Sequence, residues 1–390
     1  MMQKFNPEKT KYLKAANLAL SVFFHEKKAQ EPLDLEKAEQ ILVIDAGRIG
    51  DIVMSIPFLK TLKRNAPKAE ITLLCARWAE PVLKGQGLVG RFVFFDPEAP
   101  GSLKEFAQTL RQVNTIRYDA ALEPRGDLRY IFLMHFCRAK RKVSYCYTGG
   151  ACLLTDVIRP PAKTVHLVEE KLYFAKQIGC RVYKADRYPK LELSKRQKKE
   201  NEDFIKSQGL LDKQVIGIHP GASLKIKQWD RFAELAAKLA ASSDHAAFLI
   251  FEGPGEKEEA YKTAQAVRKC GVQAIISQTG LTQYIQRLAL CHIVFCNDSG
   301  AGHIARACGA AVFVIFGPVE PAFAKPYAKD RVTVCSDDSL ACKPCFRTAC
   351  LKVRQSGEAG GQPQEASCEC LQKITVRAVY EKYRNACGQV

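Results

Sequence analysis

Ten short apolar runs, each followed by a stretch of helical periodicity, constrain this chain more than any other feature. The first five are ILVID (41–45), ITLLC (71–75), FVFF (92–95), AALEP (120–124) and KVSYC (142–146). After the charged stretch SKRQKKENED (194–203) come VIGIHP (215–220), AAFLIFE (246–252), VQAIIS (272–277), IVFCN (293–297) and AVFVIFG (311–317). Runs this short and apolar suit strands buried on both faces, and the amphipathic stretches between them suit the helices that cover such strands. The pattern predicts two doubly wound parallel α/β domains. The length agrees, because 390 residues exceed one ordinary core. The expected divisions are an N-terminal amphipathic extension over 1–40, a Rossmann-like domain over 41–190, a second over 191–335, and a Cys-rich tail with a C-terminal helix over 336–390.

Lys and Arg number 59 against 41 Asp and Glu, a net charge of +18 that favours anionic partners. Nucleic acid is one such partner, but a basic nucleic-acid module leaves both α/β series and their loop motifs unexplained. Sixteen cysteines scattered through apolar runs of a large chain read as small core residues in a reducing cytosol rather than a disulfide framework. No apolar run approaches the length of a transmembrane helix. Near the N-terminus, basic residues precede AANLALSVFF (15–24), as in a signal peptide, yet Asn17 and Ser21 interrupt the apolar part and HEKK follows it. At helical spacing Lys11, Lys14, Asn17, Ser21, His25 and Lys28 form a polar stripe opposite Leu13, Ala16, Leu20 and Phe23. This predicts an amphipathic helix that packs on its own domain, with an anionic membrane surface as the alternative partner.

Ligands of open parallel sheets bind beyond the carboxyl ends of the strands, and the distinctive polar clusters of this chain all fall there. In NDSGAGHIARACG (297–309), Asp298, Ser299, Gly300 and Ala301 open a helix that carries His303. Small residues admit a ligand close to the backbone, and the free N–H groups of a helix's first turn suit a pyrophosphate. The plainer alternative is a helix capped by Asp298 or Ser299. HPGASLKIKQW (219–229) brings the Ser223 hydroxyl and the mobile charges of Lys225 and Lys227, and FEGPGEKEEA (251–260) brings Glu256, either to hold a ribose hydroxyl or to cap its helix. No G-x-G-x-x-G follows a strand, which weighs against a nicotinamide site. Asp51, beside Gly50 in the first turn of a helix, is either a cap or a proton acceptor.

Three blocks, ILVIDAGRIGDIVMSIPFLKTLKRNAPKAEITLLC, HPGASLKIKQW and NDSGAGHIARACGAAVFVIFGP, taken in this order, resemble the family 9 glycosyltransferases, which include the lipopolysaccharide heptosyltransferases; HLVEEKLYFAKQIG (166–179) fits too. The resemblance implies a GT-B fold with two domains facing across a cleft. It implies inverting transfer from a nucleotide sugar, typically ADP-heptose, with no cofactor or metal at the reaction centre. The expected acceptor is an anionic, lipid-linked glycan at the cytoplasmic face of the inner membrane. In its terms Asp51 is the general base, Lys227 (with Lys225 as alternate) meets the donor phosphates, and Glu256 binds the ribose. Asp298, Ser299, Gly300, Ala301 and His303 hold the diphosphate, and Gly50 and Ser223 complete the expected nucleotide-sugar contacts. Where the family has a leucine after the turn glycine, this chain has Ala301-Gly302, which implies looser packing there. Arg125 and Arg129 of EPRGDLR (123–129) are candidate acceptor contacts.

The tail carries CKPCFRTAC (342–350) and CEC (368–370). Thiolates at such spacing suit a structural zinc ion, with Cys342, Cys345, Cys350 and either Cys368 or Cys370 as ligands; reduced or oxidised cysteine without metal is the alternative. The runs RAKRK (138–142) and KRQKK (195–199) read as solvated helix ends or loops that also favour an anionic acceptor.

Overall fold

The computed structural model describes residues 33–95, 103–243, 245–345, 350 and 368–387. The amphipathic helix expected near the N-terminus lies outside them. The chain divides into two compact units, one ending at Pro189 and the other beginning at Lys190.

The first unit is built on a parallel sheet of β1 (Gln40–Ile44), β2 (Glu70–Cys75), β3 (Arg91–Phe94), β4 (Tyr118–Glu123), β5 (Ala139–Ser144) and β6 (Asp156–Val157), in the order β3-β2-β1-β4-β5-β6. The order reverses direction between β1 and β4, where Ile41 pairs with Ala120 and Val43 with Leu122. Ile41, Leu42, Val43 and Ile44 are all buried, as a strand covered on both faces requires. The helix Ile49–Asn65 packs on this sheet and against the helix Leu167–Gln177, where Phe58 meets Phe174 edge to face. Burying a ring such as Phe58 contributes about 1.5–3 kcal/mol.

The second unit repeats the arrangement with β7 (Gln214–His219), β8 (Ala246–Phe251), β9 (Ala274–Ser277), β10 (Ile293–Asn297), β11 (Ala311–Phe316) and β12 (Val332–Ser336), in the order β12-β11-β10-β7-β8-β9. Its reversal lies between β7 and β10. Both units are thus open parallel sheets of the same winding, a GT-B pair of Rossmann-like domains. The tail completes the second core rather than standing apart from it. Leu371, Val376 and Val379 pack with Trp229 and Phe232, and the Trp229 indole donates to the Ile374 carbonyl at 3.0 Å.

RAKRK forms most of β5 instead of a solvated loop. Its charges are matched by carboxylates: Lys140 meets Asp119 and Arg141 meets Asp156. Among the described residues no helix is long and apolar enough to cross a membrane.

Candidate active site

In each unit the polar loops gather where the strand order reverses. In the first, β1 gives way to Asp45, Ala46, Gly47 and the N-cap Arg48, and Asp51 stands in the first turn of the helix Ile49–Asn65. Asp51 Oδ2 accepts the Arg48 backbone N–H at 3.0 Å and lies 3.1 Å from Arg125 Nη1, which arrives from the loop after β4. Gly47 is needed for this approach, since a Cβ there would stand 2.3 Å from Arg125 Nη1 and 2.5 Å from Asp51 Cβ. Beneath them, Lys171 of the helix Leu167–Gln177 donates to both Asp45 and Ser55, and all three side chains are buried. Burial alone would raise the Asp51 carboxyl, but the charges of Arg125 and Lys171 outweigh it and hold the group at about 2. Asp51 is therefore ionised at any physiological pH. Arg129 forms a two-pronged pair with Asp127, the cap of its own helix.

Glu123, at the end of β4, carries a different signature. Burial pushes its carboxyl up to about 8, so it is largely protonated near neutrality. Its Oε2 accepts from the Ser144 hydroxyl and the Gly126 N–H, each at 2.6 Å, and the Ser144 hydroxyl also lies 2.6 Å from the Tyr145 carbonyl.

In the second unit the loops after β7 and β10 are tied together by Asn297, wholly buried at the end of β10. Its amide donates to the carbonyls of Pro220 and Gly221 and its oxygen accepts from the Trp229 N–H. Lys227, at the end of a short 3₁₀ turn, lies 2.5 Å from Asp298 Oδ2. Lys225 turns the other way, to Glu259 at 3.0 Å, and is two-thirds exposed. Ser223 is exposed in the same loop. The helix Gly300–Ala307 starts just past Asp298 with Ser299 at its N-cap, yet Ser299 makes no capping bond and its Oγ is buried without a hydrogen-bond partner. The N-terminus of that helix is thus left without a side-chain cap. His303 is buried in its first turns. The Ala301-Gly302 pair does not loosen this region: a Cβ at Gly302 would approach Cys296 Sγ to 3.0 Å and Val314 to 3.3 Å, so the small residues let the helix lie close on β10 and β11.

Glu256 does not cap its helix through its side chain either. The carboxylate folds back to accept the Gly253 N–H at 3.0 Å and faces His219 Nε2 at 3.3 Å. Two glycines make the space, because a Cβ at Gly221 or Gly253 would fall within 2.3 Å of the carboxylate. Tyr284 Oη lies 3.2 Å from the other imidazole nitrogen of His219. Burial pushes His219 down to about 4 and raises Glu256. The imidazole is neutral at pH 7, donating through Nε2 to Glu256 and accepting from Tyr284. On acidification the unfolded chain takes up a proton at His219 near 6.5, whereas the folded chain resists until about 4. Stability should therefore fall by about 3 kcal/mol across that window on account of His219. Chemical denaturation of the wild type and His219→Asn at a series of pH values should show the slope between those limits flattening in the variant.

A model of the family described as glycosyltransferase family 9 (heptosyltransferase) matches residues 104–354. The chain belongs to that family. Lipooligosaccharide heptosyltransferase 2 of Haemophilus influenzae is 25% identical over 340 residues, covering 83% of this chain and 94% of that protein. Lipopolysaccharide heptosyltransferase 2 of Escherichia coli is 26% identical over 314 residues, 75% of this chain and 87% of that protein. Among solved structures, E. coli ADP-heptose lps heptosyltransferase II aligns with a TM-score of 0.70 at 21% identity, over 90% of this chain and 99% of that one. The family 9 glycosyl transferase of Veillonella parvula aligns with a TM-score of 0.69 at 21% identity, over 91% and 100%. As a family 9 glycosyltransferase the protein transfers sugar, and its fold is GT-B.

Within this family member, the residues expected from sequence fall in two groups. Gly50, Asp51 and Arg125 gather at the reversal of the first sheet; Lys227, Asp298, Ser299, Gly300 and Ala301 gather at that of the second, with Glu256 beside β7. Arg129 and Lys225 are paired outside these groups. Asp45, His219 and Asn297 at strand ends, and Lys171 and Tyr284 on helices, have no role assigned from sequence; their buried hydrogen bonds reveal them. Of the cysteines expected as zinc ligands, Cys350 and Cys370 both adjoin Cys368, and among the described residues no three His, Cys, Asp or Glu side chains are placed to hold a metal. Cys342 is exposed, while the buried Cys368 thiol donates to Cys370, which favours the thiolate there.

Proposed function

We propose that this glycosyltransferase moves a heptose from ADP-heptose to a hydroxyl of an anionic, lipid-linked core glycan, with inversion and with Asp51 as general base. The observation that carries the reading is the pairing of an uncapped helix start at Ser299 with the Lys227 cation at the reversal of the second sheet. Such a place suits a diphosphate, whose charge the helix N–H groups and the lysine both favour. Relatives described by their ADP-heptose or ADP complexes support the choice of donor; heptosyltransferase WaaC of E. coli with ADP-2-deoxy-2-fluoro heptose shares the fold at a TM-score of 0.64. The net charge of +18 supports an anionic acceptor at the cytoplasmic face of the inner membrane.

In this reading the acceptor oxygen attacks the anomeric carbon from the side opposite the diphosphate. The bond from that carbon to the phosphate oxygen breaks, and ADP leaves with the electron pair. The hydroxyl proton passes to Asp51 Oδ1, which no other described group occupies. Lys227 and the helix at Ser299 stabilise the charge growing on the leaving diphosphate. Glu256, fixed by His219 and the Gly253 N–H, offers its carboxylate to the ribose hydroxyls.

A screen of sugar nucleotides against an isolated lipopolysaccharide core saccharide, read by mass, tests the assignment. It should show the acceptor gaining one heptose from ADP-heptose alone. Transfer only from a different sugar nucleotide would assign this site to another GT-B transferase.

A further inference from the structure

Arg125 is held but not used up. Its Nη1 lies 3.1 Å from Asp51 Oδ2 and 3.7 Å from Asp45 Oδ1, while no described residue partners its Nε or Nη2, and 30% of the side chain remains exposed. An arginine with one prong on a carboxylate and its other edge open is shaped to take a second oxyanion in a fork. The groups facing Asp51 are Arg125 from the loop after β4, Lys171 from the helix Leu167–Gln177, Asp45 from the end of β1 and the Arg48 N–H; Glu123 lies near Arg125. Lys171 is committed to Asp45 and Ser55, whereas Arg125 keeps donors beyond its contacts with Asp51 and Asp45.

This arrangement sets a problem for a base. A carboxylate so firmly paired stays ionised but has little appetite for a proton, and general bases work best when their proton affinity is closer to the working pH. We infer that Arg125 couples acceptor choice to catalysis: an oxyanion of the acceptor, phosphate or carboxylate, takes the open edge of the guanidinium, shares its charge and frees Asp51 to accept the hydroxyl proton. Arg125 is then a specificity-determining and positioning residue. A neutral acceptor of the same shape leaves Asp51 bound and weakly basic. The inference rests on the reading of Asp51 as base.

The test uses the full chain, ADP-heptose and four forms of one core saccharide: intact, dephosphorylated, carboxyl-reduced, and stripped of both groups. Wild-type kcat should fall about tenfold or more on the stripped form. Whichever single treatment reproduces the fall identifies the oxyanion. In Arg125→Gln, kcat on intact and stripped forms should agree within about threefold, and the acid limb of kcat/KM should move up toward the ordinary carboxylate range, near 4. A purely structural role for Arg125 would move neither the acceptor ratio nor that limb. If Arg125→Gln does not fold, Arg125→Lys serves, which keeps the charge but loses the fork and should narrow the intact-to-stripped ratio. An unchanged ratio in the variant that folds, or a wild type indifferent to stripping, overturns the inference. The underlying reading fails separately, through Asp51→Asn retaining wild-type kcat on the intact saccharide.

Discussion

Asp51→Asn should lower kcat for heptose transfer by about 10²–10⁴, the usual contribution of a positioned base, while the Kd for ADP-heptose stays within about threefold of wild type. The asymmetry follows from where the residue sits. Asp51 belongs to the first unit, at the end of β1, whereas the groups proposed for the diphosphate and ribose belong to loops after β7, β8 and β10. An asparagine keeps the size and still accepts the Arg48 N–H through its oxygen, so the helix start is preserved. What it loses is the lone pair that takes a proton and the charge that pairs with Arg125. Because removing one member of a partly buried pair also destabilises, thermal unfolding should be measured beside the kinetics. A folded Asp51→Asn with wild-type turnover would remove Asp51 from the role.

The second large effect is expected at Lys227. Truncation to alanine removes one charge-assisted contact to the diphosphate, worth about 1.5–3 kcal/mol, or roughly 10- to 150-fold in donor Kd. It also strips Asp298 of its partner. That carboxylate is only 8% exposed and stands where the donor's negative charge is proposed to lie, so the loss should fall at the upper end of the range. Lys227→Ala combined with Asp298→Asn should therefore bind ADP-heptose more tightly than Lys227→Ala alone. Calorimetric titration of the wild type, both single variants and the double variant gives the coupling directly. Lys225→Ala, whose partner is Glu259, should change donor affinity by less than about threefold. Equal losses at the two lysines would contradict the assignment.

The architecture was open to a reader of the sequence because strands covered on both faces must be apolar throughout, and ILVI, AAFLIF and AVFVIF are. Where the physics of a strand lies elsewhere, the sequence misleads. β5 begins three residues before the KVSYC run, in charged residues whose partners, Asp119 on β4 and Asp156 on β6, nothing local announces. β6 is two residues long and β12 is an edge strand half exposed, so neither offers a run to read. The candidate site divides in the same way. Asp51, Lys227 and Ser299 sit in loops whose small residues and position after a strand are visible in one dimension. Arg125, by contrast, is 74 residues from Asp51 and meets it only because β1 and β4 are neighbours at the sheet's reversal. Lys171 looks like one more charge on an amphipathic helix until Asp45 is found beneath it. The spacing of the tail cysteines suits a metal site, but spacing fixes only reach: the fold spends Cys368 and Cys370 on the second unit's core and leaves Cys342 in solvent.

The central claim is a single displacement, with the Asp51 carboxylate drawing the proton from the acceptor as the diphosphate leaves from the opposite face. The anomeric configuration of the heptosyl product, read by nuclear magnetic resonance after enzymatic turnover of ADP-heptose on a core saccharide, tests it most directly. The account predicts a linkage inverted relative to the donor. A retained configuration would contradict it, because retention requires a second displacement or a front-face departure in which Asp51 has no such part.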